Sequence, residues 1–344
     1  MRELPDWVST FRRSAGVTGD REVAMKLHAI AALTAAIAAA ASGAMSQTGT
    51  AESHVAAAKA AAGTEHAALF EATCVRKPGP PPPATGPQRA PDRSTWHYEP
   101  VKVFDNIYYV GEKEYSAWAV VTSDGIVVLD TIWAYSVEDE IVGGLRKLGF
   151  DPAQIKYALV SHAHIDHIGG ARYLQEKLGT RIVMSAADWD FAEQSPRLPA
   201  DIKPRRDVVA PDGYKLALGD TTLSFHLTPG HTPGTISTIF TVKDGGRAHT
   251  VATWGGTAFN FQPMPEAFQV YIDSAVKYQD VVKQAGADVI LSNHTIFDGS
   301  LKKFAALAMR KSGDAHPFVV GQDSVQRYVK VAEECARAQQ LQLK

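Results

Sequence analysis

The chain has 344 residues, 45% hydrophobic and 21% charged, with a formal net charge of −2, enough apolar material for one large core or two modest ones. The near-neutral balance lacks the basic excess with which proteins meet a polyanion, so no nucleic-acid partner is expected. Two cysteines, Cys74 and Cys335, exclude a disulfide scaffold or a cysteine-rich zinc site; they either pair, tying an N-terminal arm to the C-terminal helix, or stand as two unpaired thiols.

The first predicted element is an address. "MKLHAIAALTAAIAAAASGAMSQ" begins at Met25 with a lysine, runs through Ala29–Ala41 as a short apolar stretch, and ends in small residues that suit a signal peptidase. The apolar run is too short and alanine-rich to span a membrane. Residues 1–46 are therefore expected to be a signal region, with Met25 the expected start, and the mature protein to be periplasmic or secreted. Residues 47–95 follow as an Ala/Pro-rich linker or arm. "RKPGPPPPATGPQRAPDRS" holds too many prolines for helix or sheet.

A catalytic domain is expected over 96–344. "VKVFDNIYYVG" and "SAWAVVTSDGIVVLD" read as strands, the second folded about Ser123-Asp124-Gly125. Val137–Leu148 has helical spacing. "KYALVS" (Lys156–Ser161) is a buried strand that runs into a histidine cluster. Ala171–Leu178 is a helix stopped by Gly179, "RIVMS" a strand, and Ser185 a cap for the helix after it. Two hairpins are predicted about Gly219-Asp220 and Asp244-Gly245-Gly246. A long helix spans about Met264–Ala285, "DVILSN" is a strand ending at His294, and helices over Leu301–Arg310 and Ser324–Gln340 close the chain. Strands and helices in two similar halves predict α/β architecture, a four-layer αββα sandwich.

The chemistry lies in "SHAHIDHIGG" (Ser161–Gly170). His162, His164, Asp166 and His167 crowd into six positions just past a buried strand, where α/β proteins build sites. His231, in "TPGHTPG", and His294 also follow strand-like runs. Imidazole and carboxylate together suit a borderline ion such as zinc. In an extended segment His162 and His164 point the same way and can grip one ion; Asp166 and His167, past the turn, can face a second. His226, His249 and His316 read as packed side chains.

This pattern resembles the metallo-β-lactamase-fold hydrolases from about residue 97 to about residue 310. The motifs that carry the resemblance are Asp130 at the end of "GIVVLD", "HAHIDH", His231 and His294. It implies His162, His164 and His231 on a first Zn²⁺, Asp166, His167 and His294 on a second, and Asp130 holding ligand orientation by hydrogen bonds. It further implies a metal-dependent hydrolase with Asp166 orienting the attacking water. Where lactonases, thioesterases and nucleases of this superfamily carry a bridging aspartate, this chain has Gly256 in "TWGGTAF". That departure is most similar to the B3 subclass of metallo-β-lactamases. A small-molecule amide or ester ring is the implied substrate and antibiotic resistance the implied role; a lactonase, thioesterase or other ester hydrolase is the alternative. Trp133, in "TIWAYS", is a candidate to pack on substrate, and Thr257 and Asn260 are candidates to hold a substrate carboxylate. A Gly256→Asp replacement is expected to shift turnover towards esters, provided Gly256 does not need a positive φ. No membrane partner is expected, and the sequence carries no signal of oligomeric state.

Overall fold

The computed structural model describes residues 49–77 and 90–343. The expected signal region up to residue 46 and the most proline-rich part of the arm lie outside the described residues.

Two consecutive apolar strands fix the layering. In β4 (Gly125–Leu129), Val127 and Leu129 face one core cluster while Ile126 and Val128 face another. β5 (Ile155–Leu159) divides in the same way, Leu159 on one side and Ala158 on the other. Strands buried on both faces lose the polar alternation of a half-exposed strand. They are the middle of a seven-stranded sheet ordered β1-β2-β3-β4-β5-β6-β7, completed by β1 (Val101–Lys102), β2 (Ile107–Tyr109), β3 (Trp118–Thr122), β6 (Arg181–Met184) and β7 (Val208–Val209). Pairing is antiparallel from β1 to β4 and parallel from β4 to β7. The predicted Ser123-Asp124-Gly125 turn joins β3 to β4.

The second sheet has five strands ordered β12-β11-β10-β9-β8. The two predicted hairpins are β8 (Lys215–Leu218) with β9 (Thr221–Leu227), and β10 (Ile236–Asp244) with β11 (Arg247–Trp254); β12 (Val289–Ser292) adds parallel to β11. One cluster joins the facing sides of both sheets, with Ile107, Trp118, Val120 and Leu129 from the first and Phe225, Phe240, Val251 and Leu291 from the second.

Helices cover the outsides. On the first sheet lie α2 (Gly143–Lys147), α3 (Ile165–Ile168), α4 (Ala171–Leu178) and α5 (Ala186–Gln194), burying Leu145, Ile168, Leu174 and Trp189 against Ile126, Val128 and Ile182. On the second lie α6 (Pro265–Ala285) and α9 (Gln322–Gln342), after the short α7 (Thr295–Asp298) and α8 (Ser300–Met309). Tyr278 of α6 donates to the Thr238 carbonyl at 3.0 Å, and Tyr271 packs on Trp254. The four-layer αββα sandwich is therefore the fold. The expected helix over Val137–Leu148 opens with a wide π-helical turn, Glu138–Val142, before the α2 segment.

The arm packs on this domain rather than trailing from it. α1 (Ala51–Ala62) lies against α9, and Cys74 is disulfide-bonded to Cys335. His54 meets Glu334 at 2.5 Å, Arg327 donates to the Ala61 carbonyl at 2.9 Å, and Gln339 donates to the Cys74 carbonyl at 3.1 Å. No helix of the described residues is long and apolar enough to cross a membrane.

Candidate metal centre

The site is built where β4 and β5 end. Asp130 turns the chain with φ 62°, and Ile132 follows with φ 50°. Aspartate tolerates the left-handed region, but a β-branched isoleucine does so only where its surroundings hold it. Here they do. Thr131 bonds the His167 carbonyl through both its N–H and its hydroxyl at 2.8 Å, and Gly170 donates to the Ile132 carbonyl at 3.2 Å. A Cβ on Gly170 would lie 2.4 Å from the Thr131 carbonyl oxygen, so this close approach requires "IGG".

The turn aims the Asp130 carboxylate at the histidine loop. It accepts from Ser161 N at 2.6 Å, Ser161 Oγ at 2.9 Å and His167 Nδ1 at 3.0 Å. The structure brings all six sequence-predicted ligands together as two triads. His162, His164 and His231 form one, Asp166, His167 and His294 the other, with the donor atoms of each group within 4.8 Å of one another.

Hydrogen bonds on the far side of each ring decide which nitrogen faces inward. His162 Nδ1 donates to the Gly255 carbonyl at 2.8 Å, and His231 Nδ1 to the Ala258 carbonyl at 2.5 Å. Carbonyls only accept, so in both rings the proton is on Nδ1 and Nε2 is a bare lone pair. Those two Nε2 atoms stand 3.1 Å apart, and His164 Nδ1 is 3.0 Å from the His231 Nε2. Lone pairs held this close repel unless a cation lies among them. The donor set fits a metal ion, with the outward hydrogen bonds that metal-binding histidines make.

Electrostatics agree. Burial, with help from neighbouring imidazoles, holds His162 and His164 well below the usual histidine range and lowers His231 to about 4 and His294 to about 3. These rings are neutral at pH 7. Burial also opposes charge on His167, but Asp166 and Asp130 outweigh it and lift the ring to about 10. Burial opposes charge on Asp166 as well; His167 and His294 win and hold it below the usual carboxylate range. The second triad is a place built for positive charge: His167 Nε2 is 3.3 Å from Asp166 and 3.2 Å from His294 Nε2.

Three expected substrate residues are placed differently. Trp133 is half-buried and stacked on Tyr135, and it reaches the site through Tyr115, whose ring lies 5.7 Å from Trp133 and 5.2 Å from His294. Asn260 is exposed on the loop whose Ala258 carbonyl holds His231. Thr257 is only 2% exposed, and its carbonyl accepts from the Tyr271 hydroxyl.

Gly256 is not a left-handed residue. A Cβ there would lie 2.5 Å from the Cβ of His231 and 2.7 Å from its ring. The obstacle to Gly256→Asp is this ring and not φ. The expectation of a shift towards esters is withdrawn, because the aspartate has no room.

Sequence reading missed several side chains. Tyr115 pairs through its backbone with His294, and Phe191 lies 6.1 Å from His164. Asn293 donates to the Gly255 carbonyl at 2.7 Å, tying His294's neighbour to the oxygen that orients His162. Asp188 carries only the signal of an acidic residue in a helix's first turn.

Residues 110–250 match the family model described as the metallo-beta-lactamase superfamily. These residues form a metallo-beta-lactamase superfamily domain. The fold is similar to the crystal structure of BJP-1, a subclass B3 metallo-beta-lactamase of Bradyrhizobium japonicum. That match has a TM-score of 0.58 and 29% identity, covering 70% of this chain and 94% of that one. An N-acyl homoserine lactonase AttM of Azorhizobium caulinodans is 28% identical over 198 residues, 51% of this chain and 72% of the relative. A hydroxyacylglutathione hydrolase of Acidiphilium cryptum is 29% identical over 147 residues, 41% of this chain and 53% of the relative. The matches to this and two further lactonases span about half of those proteins' lengths. The chain is a hydrolase of this superfamily with β-lactamase and lactonase relatives.

Proposed function

We propose that this metallo-beta-lactamase superfamily chain is an exported hydrolase holding two zinc ions, and that it opens a cyclic amide of the β-lactam kind. The observation that carries the reading is the contact between Gly256 and the His231 ring. It leaves six donors in two triads and no room for a bridging carboxylate from that position. Zinc bound in both triads supplies an activated water at neutral pH and a Lewis acid for the substrate carbonyl.

The chain's own residues do the rest. His162, His164 and His231 present neutral nitrogens to one ion, and Asp166, His167 and His294 face the other. Asp130 fixes His167, and Asp166 orients the attacking water. Tyr115, with Trp133 and Tyr135 behind it, forms an aromatic wall beside His294 and His167. Phe191 stands on the His164 side, so an apolar substituent has a surface to rest on at either flank. Export is supported by the Met25–Gln47 pattern and by the Cys74–Cys335 disulfide, which suits an oxidising compartment.

A second reading, opening of a lactone or another ester, is favoured by the relatives named as lactonases at 28–31% identity. Hydrolysis of a penicillin, a carbapenem, an acyl-homoserine lactone and a thioester by the zinc-loaded protein separates the two. The proposal expects the largest kcat/KM for a β-lactam. A lactone or thioester value tenfold above every β-lactam tested establishes the second reading instead.

A further inference from the structure

Asp188 is a carboxylate with 1% exposure, and among the described residues its hydrogen-bond partners are all uncharged groups. It sits in the first turn of α5, where Ser185 caps the helix by accepting from the Asp188 N–H at 3.1 Å. An acid there would ordinarily turn back to the helix terminus or out to water. Its oxygens turn inward instead. Oδ2 accepts from Ala163 N at 3.0 Å and from Thr232 Oγ1 at 2.8 Å, and Oδ1 accepts from Gly234 N at 2.8 Å.

Those three donors belong to the first triad's two loops. Ala163 lies between His162 and His164. Thr232 directly follows His231, and Gly234 is three residues past it. Thr235 continues the chain of bonds, its hydroxyl 2.7 Å from that of Thr232. Close packing locks the arrangement: a Cβ on Gly234 would lie 1.9 Å from Ser185 Oγ and 2.6 Å from Asp188 N. Burial raises the Asp188 carboxyl to about 6 against the pull of its three donors, so the group is ionised, and a full acceptor, at neutral pH.

We propose that Asp188 is a positioning residue for the first metal: it ties the His162–His164 segment to the His231 loop and sets the spacing of the three imidazoles. The inference rests on the reading that the two triads hold metal. Asparagine tests it well, because the three donors need acceptors on both oxygens. An amide offers one oxygen, so either Gly234 N–H or Ala163 N–H must face an NH₂ group.

The experiment is zinc titration against a chromophoric chelator, using the folded wild type and Asp188→Asn. Wild type is expected to take two ions. In Asp188→Asn one step weakens about 10–100-fold, the usual cost of losing a partner that orients a ligand, and the other stays within twofold. The weakened step is assigned by crossing with ligand variants. Asp188→Asn must still weaken the ion left in His294→Ala and have no effect on the ion left in His231→Ala. Equal weakening of both sites, or no weakening, overturns the proposal. If Asp188→Asn does not fold, Thr232→Val decides. It removes one donor, and zinc at the first site should weaken several-fold; an unchanged affinity overturns the proposal. A wild type that binds no zinc instead overturns the metal reading, and this inference with it.

Discussion

Replacing Gly256 with alanine adds one methyl group where the backbone runs against the His231 ring. The added carbon would lie 2.5 Å from His231 Cβ and 2.7 Å from Cγ and Cδ2. Carbon atoms rest about 3.5–4.0 Å apart, so ring and backbone must separate by roughly 1 Å. The loop cannot yield freely, because Ala258 holds the other side of the same imidazole and Gly255 holds His162. Overpacking of this kind costs about 1–3 kcal/mol. For a domain of this size each kcal/mol lowers Tm by roughly 2–4 °C, so Gly256→Ala should melt roughly 2–12 °C below wild type. A misplacement near 1 Å at a reacting centre costs about 100-fold in rate, and kcat/KM on the preferred substrate should fall on that order. Differential scanning fluorimetry and steady-state kinetics on the zinc-loaded proteins measure both. A Gly256→Ala protein with wild-type Tm and kcat/KM would refute the claim that the His231 ring excludes a side chain there.

Three further outcomes are expected. His294→Ala should retain one tightly bound zinc by native mass spectrometry, and two retained ions would remove His294 from the ligand set. Glu112 is fully buried against Ser136, and burial raises its carboxyl to about 8. Its folded pKa lies above the unfolded value of about 4.3, so its contribution is complete below pH 4 and is lost as pH rises towards 8. Wild-type Tm should therefore fall more steeply than that of Glu112→Gln between pH 5 and 9, and parallel curves would contradict the buried neutral carboxyl. The Cys74–Cys335 bond joins residues 261 apart, and Cys74→Ser with Cys335→Ser should cost about 2–5 kcal/mol in denaturant unfolding. Denatured wild type should titrate no free thiol, and two thiols would contradict the pairing.

What the sequence made legible follows from range. His162, His164, Asp166 and His167 lie within six positions after an apolar run, so local spacing reveals them. His231 and His294 are single residues, found because each ends a strand-like stretch. Asp188 has no such mark: in "SAADWD" it reads as an ordinary first-turn acid, and only the docking of α5 against two distant loops shows its work. Gly256 announced a missing ligand, but the ring that fills the space is contributed from position 231. Thr257 reads as a hydroxyl for substrate, and what the sequence does not show is its burial beside Tyr271. The arm's alanines gave only weak helical spacing; its order comes from long-range contacts with α9 that composition does not encode.

The central claim is that two triads on one chain each hold a zinc ion. Native mass spectrometry of the folded protein after zinc loading and removal of excess metal counts them directly. The account predicts a dominant species with two zinc ions per chain, and one ion or none in that species would contradict it.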